Sequence, residues 1–261
     1  MIQKSLLFII ILNFLNNWMN KTTSVDYAEV EKFEKIADQW WSSSGKFAIL
    51  HKFNLCRVPY IKAKIIENFN LKTNNSFEGI SVLDVGCGGG LLAEPMAKLN
   101  ADVTAIDASL KNIKIAQLHA EKQNLKINYK QSLIEDMPET NKFKVILVME
   151  VIEHVDNPEE FLINCSKLLS DGGIMFVATI NRTMKSLLLA KMAAEYILQW
   201  LPRGAHKWQK FLKPSEIVRF LAKQNKIQHL DLIGAKYNIF NDSWSESKDV
   251  SQNYILLFKK T

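Results

Sequence analysis

Two acids and an imidazole, Glu150, Glu153 and His154, stand at positions i, i+3 and i+4, so a helical segment would bring all three to one face. A set of this kind can hold a divalent cation, or His154 can take a proton from a reacting hydroxyl. A second chemistry-bearing stretch lies upstream. Residues 81–92 read Ser-Val-Leu-Asp-Val-Gly-Cys-Gly-Gly-Gly-Leu-Leu, an apolar strand entering a turn in which Gly86, Gly88 and Gly90 let bare backbone approach a ligand. Asp107 closes the next apolar run, 21 residues after Gly86, where a carboxylate can accept both hydroxyls of a ribose. The ligand expected is a nucleoside. A dinucleotide fits poorly: the glycines run G-x-G-x-G, Leu91 occupies the place of the last dinucleotide glycine, and the charge of Asp84 disfavours a pyrophosphate on the helix N-terminus. An acid at Asp84 suits a ligand carrying positive charge.

The elements that must position these residues alternate. Strands are predicted at 82–85, 102–107, 126–131, 144–149, 173–180, 227–234 and 253–258, with helices at 91–99, 109–124, 158–169 and 214–223; Ser109 is the expected cap of the second. Alternation of this kind builds a parallel α/β sheet whose ligands sit beyond the carboxyl ends of the strands. The segment from Met149 to Val155 starts at such an end. Upstream, Val30, Phe33, Ile36, Ala37, Trp40 and Trp41 recur at helical spacing over 26–41, and a second helix is expected over 54–69. Neither belongs to the nucleotide-binding unit, so both are expected to cross its ligand edge as a lid. Arg57 is then placed either to pair with a ligand carboxylate or to lie on the surface as an ordinary arginine.

With 261 residues and 48% hydrophobic content the chain can bury one full core, read here as one domain over 21–261 with an insertion at 182–213. Cys56, Cys87 and Cys165 are odd in number and widely spaced, which suggests neither a disulfide framework nor a zinc site and fits a reducing cytoplasm. The net charge of +6 is concentrated. Residues 182–226 hold ten basic side chains against Glu195 and Glu216, 10 − 2 = +8. Within them, 184–201 confines Lys185, Lys191, Glu195 and Gln199 to a narrow arc and is otherwise almost wholly apolar. A wide apolar face with a basic flank suits an interfacial helix on an anionic membrane, and a helix buried on the domain is the competing reading. Residues 1–20 form an apolar extension that is short for a membrane span. They read as upstream sequence ahead of a start at Met19, as an anchor, or as a signal peptide.

Taken together, the motifs resemble a known family. V-L-D-V-G-C-G-x-G is similar to the first motif of the class I S-adenosylmethionine (SAM)-dependent methyltransferases. The tandem Trp40-Trp41, the run 149–155, N-R-x-x-K-S from Asn181 to Ser186 and A-E-Y-I-L from Ala194 to Leu198 resemble the ubiquinone biosynthesis O-methyltransferases, over roughly 26–254. The resemblance implies a Rossmann-like, seven-stranded, mostly parallel sheet with helices on both faces, a helical lid and an inserted amphipathic helix. It implies methyl transfer from SAM to the hydroxyl of a polyprenylated catechol or quinol, at the inner face of a membrane and with other enzymes of the pathway as partners. Arg57, Asp84, Gly86, Gly88, Asp107 and Met149 are the implied SAM contacts. Glu150, Glu153 and His154 are the implied catalytic residues and ligands of Mg2+ or another divalent cation. Lys207 departs from the family, which commonly has an acid there, and no acid in 131–133 is placed for the adenine amine. Methylation of RNA or of another small molecule, and SAM binding without turnover, are the rival readings. The basic residues interleave with aliphatic rather than stacking aromatic side chains, which speaks against nucleic acid.

Overall fold

In a computed structural model of the chain, the described residues are 23–72, 76–187, 208–224, 226–238 and 241–261. The helices are α1 (Tyr27–Glu34), α2 (Ala48–Phe69), α3 (Ala93–Lys98), α4 (Leu110–Lys122), α5 (Pro158–Lys167) and α6 (Pro214–Ala222). The strands are β1 (Ser81–Val85), β2 (Asp102–Asp107), β3 (Asn128–Gln131), β4 (Phe143–Met149), β5 (Leu169–Ile180), β6 (Ile227–Asn238), β7 (Ser243–Ser247) and β8 (Asn253–Lys260). They form one sheet in the order β3-β2-β1-β4-β5-β8-β6-β7, with β3 to β5 parallel and β6 to β8 antiparallel. Successive side chains of the central strands enter opposite faces of the sheet. Val82, Leu147 and Phe176 pack in one apolar cluster, while Leu83, Ile146 and Val177 pack in the other.

Among the described residues the sheet has eight strands rather than the expected seven. The extra strand, β7, reads Ser-Trp-Ser-Glu-Ser and offers a single apolar side chain to sequence periodicity. Tertiary contact makes it a strand: it pairs antiparallel with β6, and Trp244 stacks on Phe53 of α2 at 4.3 Å.

The lid helix is shorter than its periodicity predicts. Asp26 caps α1 by accepting from the Ala28 and Glu29 N–H groups, but the helix stops at Glu34 and a 3₁₀ turn, Ala37–Gln39, follows. An uninterrupted helix could not lay both tryptophans on the glycine turn. With the break, Trp40 stacks on Phe47 at 3.6 Å and settles over Gly88 and Gly89. The second helix, α2, begins six residues earlier than predicted.

Candidate functional site

The carboxyl edges of β1, β2 and β4 open into one cavity covered by α1 and Trp40. Gly86, Gly88, Asp107, Glu150 and His154 line it, together with Trp40, Asn112 and Glu135. Sharp reversal after β1 requires positive φ, and Gly88 has φ +52. It also requires the absence of a side chain, since a Cβ at Gly88 would stand 2.4 Å from Trp40 and one at Gly86 2.4 Å from Val151.

Asp107 is held for its task by three donors. The Gly88 N–H donates to Oδ2 at 2.9 Å, the Ser109 N–H to Oδ1 at 2.8 Å, and Asn112 Nδ2 to Oδ1 at 3.2 Å. Burial raises its pKa, and these donors oppose the shift. Asn112 in turn accepts from the Trp40 indole at 2.9 Å, which ties the lid to the carboxylate.

Asp84 and Arg57 are both buried and do not line this cavity. Arg57 donates from Nε to Asn54 at 2.6 Å, while Nη1 and the Oδ2 of Asp84 are buried with no hydrogen-bonding partner among the described residues. Burial pushes the Asp84 carboxyl up to about 7, against the opposing pull of Arg57. The two are close enough to feel each other's charge without forming an ion pair, and an orphaned guanidinium nitrogen with an orphaned carboxylate oxygen suits the two ends of an amino acid zwitterion. Met149, the last residue of β4, is also buried and does not line the cavity.

The acceptor edge differs from the sequence expectation. Residues 150–154 do not form an α-helix with one shared face: Glu150 leaves β4 at φ +56, and Ile152–His154 is a 3₁₀ turn. Glu150 is brought near Glu153, and burial with that neighbouring charge raises its pKa. Glu150 Oε1 and both carboxylate oxygens of Glu153 are buried without a hydrogen-bonding partner among the described residues. Such oxygens fit a divalent cation. His154 meets Glu29 Oε2 of α1 through Nδ1 at 3.0 Å, which fixes the orientation of its ring. Among the described residues no three His, Cys, Asp or Glu side chains converge on a common ion position.

Several residues around this site escaped the sequence reading. Glu29 is buried and holds His154; its pKa is lowered to about 2 by that hydrogen bond first and by Lys32 beside it. The signal was available, since Glu29 lies one turn before Phe33 on the apolar face of the predicted helix, where a carboxylate needs a partner. Glu135 lines the cavity and accepts the Ser24 N–H at 3.0 Å, yet nothing local in sequence marks it. Asn112 was hidden as an ordinary polar residue of α4.

Part of the basic segment is already committed. Lys210 pairs with Asp26 at 2.6 Å and with Asp156 at 3.6 Å, Lys185 with Asp249 at 2.5 Å, and Arg182 with Glu216. The predicted interfacial helix over 184–201 lies outside the described residues beyond 187, as do the N-terminal extension, Lys191, Arg203 and Lys207.

A mostly parallel sheet with this strand order, a glycine turn after β1 and an acid ending β2 define a class I methyltransferase fold. A methyltransferase domain family matches residues 55–225. Among solved structures, the fold is similar to magnesium protoporphyrin IX methyltransferase from Synechocystis PCC 6803 with bound S-adenosylhomocysteine (SAH), TM-score 0.58 and 17% identity over 95% of both chains. It is also similar to the plantazolicin methyltransferase BpumL in complex with SAH, TM-score 0.55 and 22% identity over 90% of this chain and 97% of the other. Sequence relatives are closer. The chain is 48% identical to the ubiquinone biosynthesis O-methyltransferase of Pelagibacter ubique (strain HTCC1062), over 91% of this chain and 99% of the relative. It is 49% identical to that of Caulobacter vibrioides (strain ATCC 19089 / CIP 103742 / CB 15), over 91% and 95%. The chain belongs to the ubiquinone biosynthesis O-methyltransferase family.

Proposed function

We propose that the chain transfers the methyl group of SAM to a hydroxyl of a polyprenylated catechol or quinol on the route to ubiquinone. The observation that carries this is one cavity, walled by Asp107 and the glycine turn on one side and by Glu150 and His154 on the other, in a chain of this family.

Bound SAM supplies an electrophilic methyl on a sulfonium. Asp107, Gly86 and Gly88 line the cavity and are assigned to the ribose end of SAM; Asp84, Arg57 and Met149 do not line it, and the methionine end must reach past this lining to meet Asp84 with its ammonium and Arg57 with its carboxylate. The acceptor oxygen attacks in line, forming the O–C bond as the C–S bond breaks and its electron pair returns to sulfur. An aromatic hydroxyl has a pKa of roughly 10, so its proton must be removed as it reacts near neutral pH. His154 is the group placed to receive it. Glu29, held ionised, can only accept a hydrogen bond, so Nδ1 is the donor in that pair and Nε2 carries the lone pair that takes the proton. A divalent ion held by Glu150 and Glu153 would supply Lewis-acid polarisation of the hydroxyl.

A polyprenyl tail keeps such a substrate in the bilayer, and the apolar and basic composition of 182–213 supports peripheral membrane contact. None of the described helices is long and apolar enough to cross a membrane. Lys210 is better assigned to holding the lid, through Asp26, than to lipid. Co-sedimentation with anionic vesicles, at low and high salt, tests the membrane contact. Binding that is lost on placing charges at Leu188 and Ile197 supports it, and wild-type protein that stays in the supernatant at low salt removes it. Turnover with and without a chelator tests the ion: full activity after chelation leaves His154 alone to activate the hydroxyl.

A further inference from the structure

The tandem tryptophans face in different directions. Trp40 lines the cavity, whereas Trp41 lies outside it and makes a separate set of contacts. Its indole N–H donates to the Gly89 carbonyl of the glycine turn at 2.9 Å, and its ring stacks on the His119 imidazole with centroids 3.4 Å apart and planes within 6°. His119, on α4, meets the carboxylate of Glu94 through Nδ1 at 2.6 Å. Glu94 is fully buried in the first turn of α3, five residues after Gly89. Its pairing with His119 therefore fixes the imidazole from the protein interior, and the imidazole offers Trp41 a flat, immobile platform. His51 adds a second hold, with Nε2 against the Trp40 carbonyl at 2.8 Å.

These contacts close a loop through the chain: glycine turn, α3, α4, lid, and back to the glycine turn. Trp40 is the neighbour of Trp41 and reaches Asp107 through Asn112, so wherever Trp41 is held, the lid's contact with the ribose carboxylate is held too. We propose that His119 and Trp41 are positioning residues for SAM binding, a stacked clamp that locks the lid on the glycine turn although neither side chain touches the cavity. The proposal rests on the reading that this cavity binds SAM.

The test is a double-mutant cycle on the full chain, read by SAH calorimetry and by steady-state kinetics. Trp41→Phe keeps a ring on His119 but loses the donor to Gly89, and His119→Gln keeps a donor for Glu94 but loses the platform. Each single variant should weaken SAH about fivefold, with the loss falling on KM for SAM rather than on kcat, and the double variant should be no weaker than about fivefold to tenfold, because the two act as one unit. Folded variants that bind SAH as wild type does, or a double variant showing the full product of two independent losses, roughly 25-fold, overturn the clamp. Trp41→Phe tests it even if His119→Gln does not fold. Asp107→Ala, measured alongside, separates the two levels: if it too binds SAH like wild type, the cavity reading fails and takes the clamp with it.

Discussion

Asp107, the last residue of β2, and Glu150, the first after β4, sit on the same edge of the same sheet, yet the protein treats them in opposite ways. Asp107 receives three protein donors, two of them backbone N–H groups, and is oriented before any ligand arrives. Glu150 stands at φ +56 with one oxygen unpartnered among the described residues, near a Glu153 whose two oxygens are likewise unpartnered. Leaving buried carboxylate oxygens unmet costs on the order of 1 to 3 kcal/mol each, so such oxygens are poised for something the chain does not supply. At Asp107 the site is finished by the fold. The acceptor side is completed by what binds there.

The sharpest way to break this contrast is to neutralise the acceptor side. Glu150→Gln and Glu153→Gln should lower turnover by ~100-fold or more while SAH affinity, measured by calorimetry, stays near wild type. Loss of SAH binding in either variant would merge the two halves. On the donor side, Asp107→Ala should weaken SAH by ~1.5 to 3 kcal/mol, the worth of charged hydrogen bonds to the ribose. Here the effect belongs to binding, and titration with SAH reads it directly.

How far these halves were legible in the sequence differs for the same reason. Asp84, the glycines and Asp107 are fixed by local rules, a strand into a tight turn and a strand's end, and the fold placed Gly86, Gly88 and Asp107 on one cavity. Glu150, Glu153 and His154 were grouped by a helical spacing that the chain does not adopt. Their relation depends on one left-handed residue and on Glu29, which is 125 residues from His154 in sequence. The antiparallel edge strand β7 was missed because its pattern is polar and its stability comes from β6 and α2.

A smaller effect is expected at Glu29, which links the lid to the acceptor side. Glu29→Gln should reduce kcat roughly tenfold by releasing His154. It should also change acid stability. The Glu29 carboxyl is held at about 2 in the folded protein against an ordinary 4.5. Its contribution is therefore complete above 4.5 and lost as pH falls toward 2, and urea unfolding across that range should show a shallower loss in the variant. The smallest effect concerns Asp84. Because burial pushes its carboxyl up to about 7, binding of a ligand ammonium should tighten several-fold as pH rises through that value, and Asp84→Asn should flatten the profile. A wild-type affinity independent of pH in that range would place the ammonium elsewhere.

The most direct measurement is transfer of a labelled methyl group from SAM to a short-chain demethylubiquinol by the purified protein, with wild type, Asp107→Ala and Glu153→Gln in parallel. The account predicts an O-methylated product from wild type, recovery of the Asp107→Ala rate at raised SAM, and no such recovery for Glu153→Gln. Wild-type protein that binds SAH yet leaves the quinol unlabelled would contradict it.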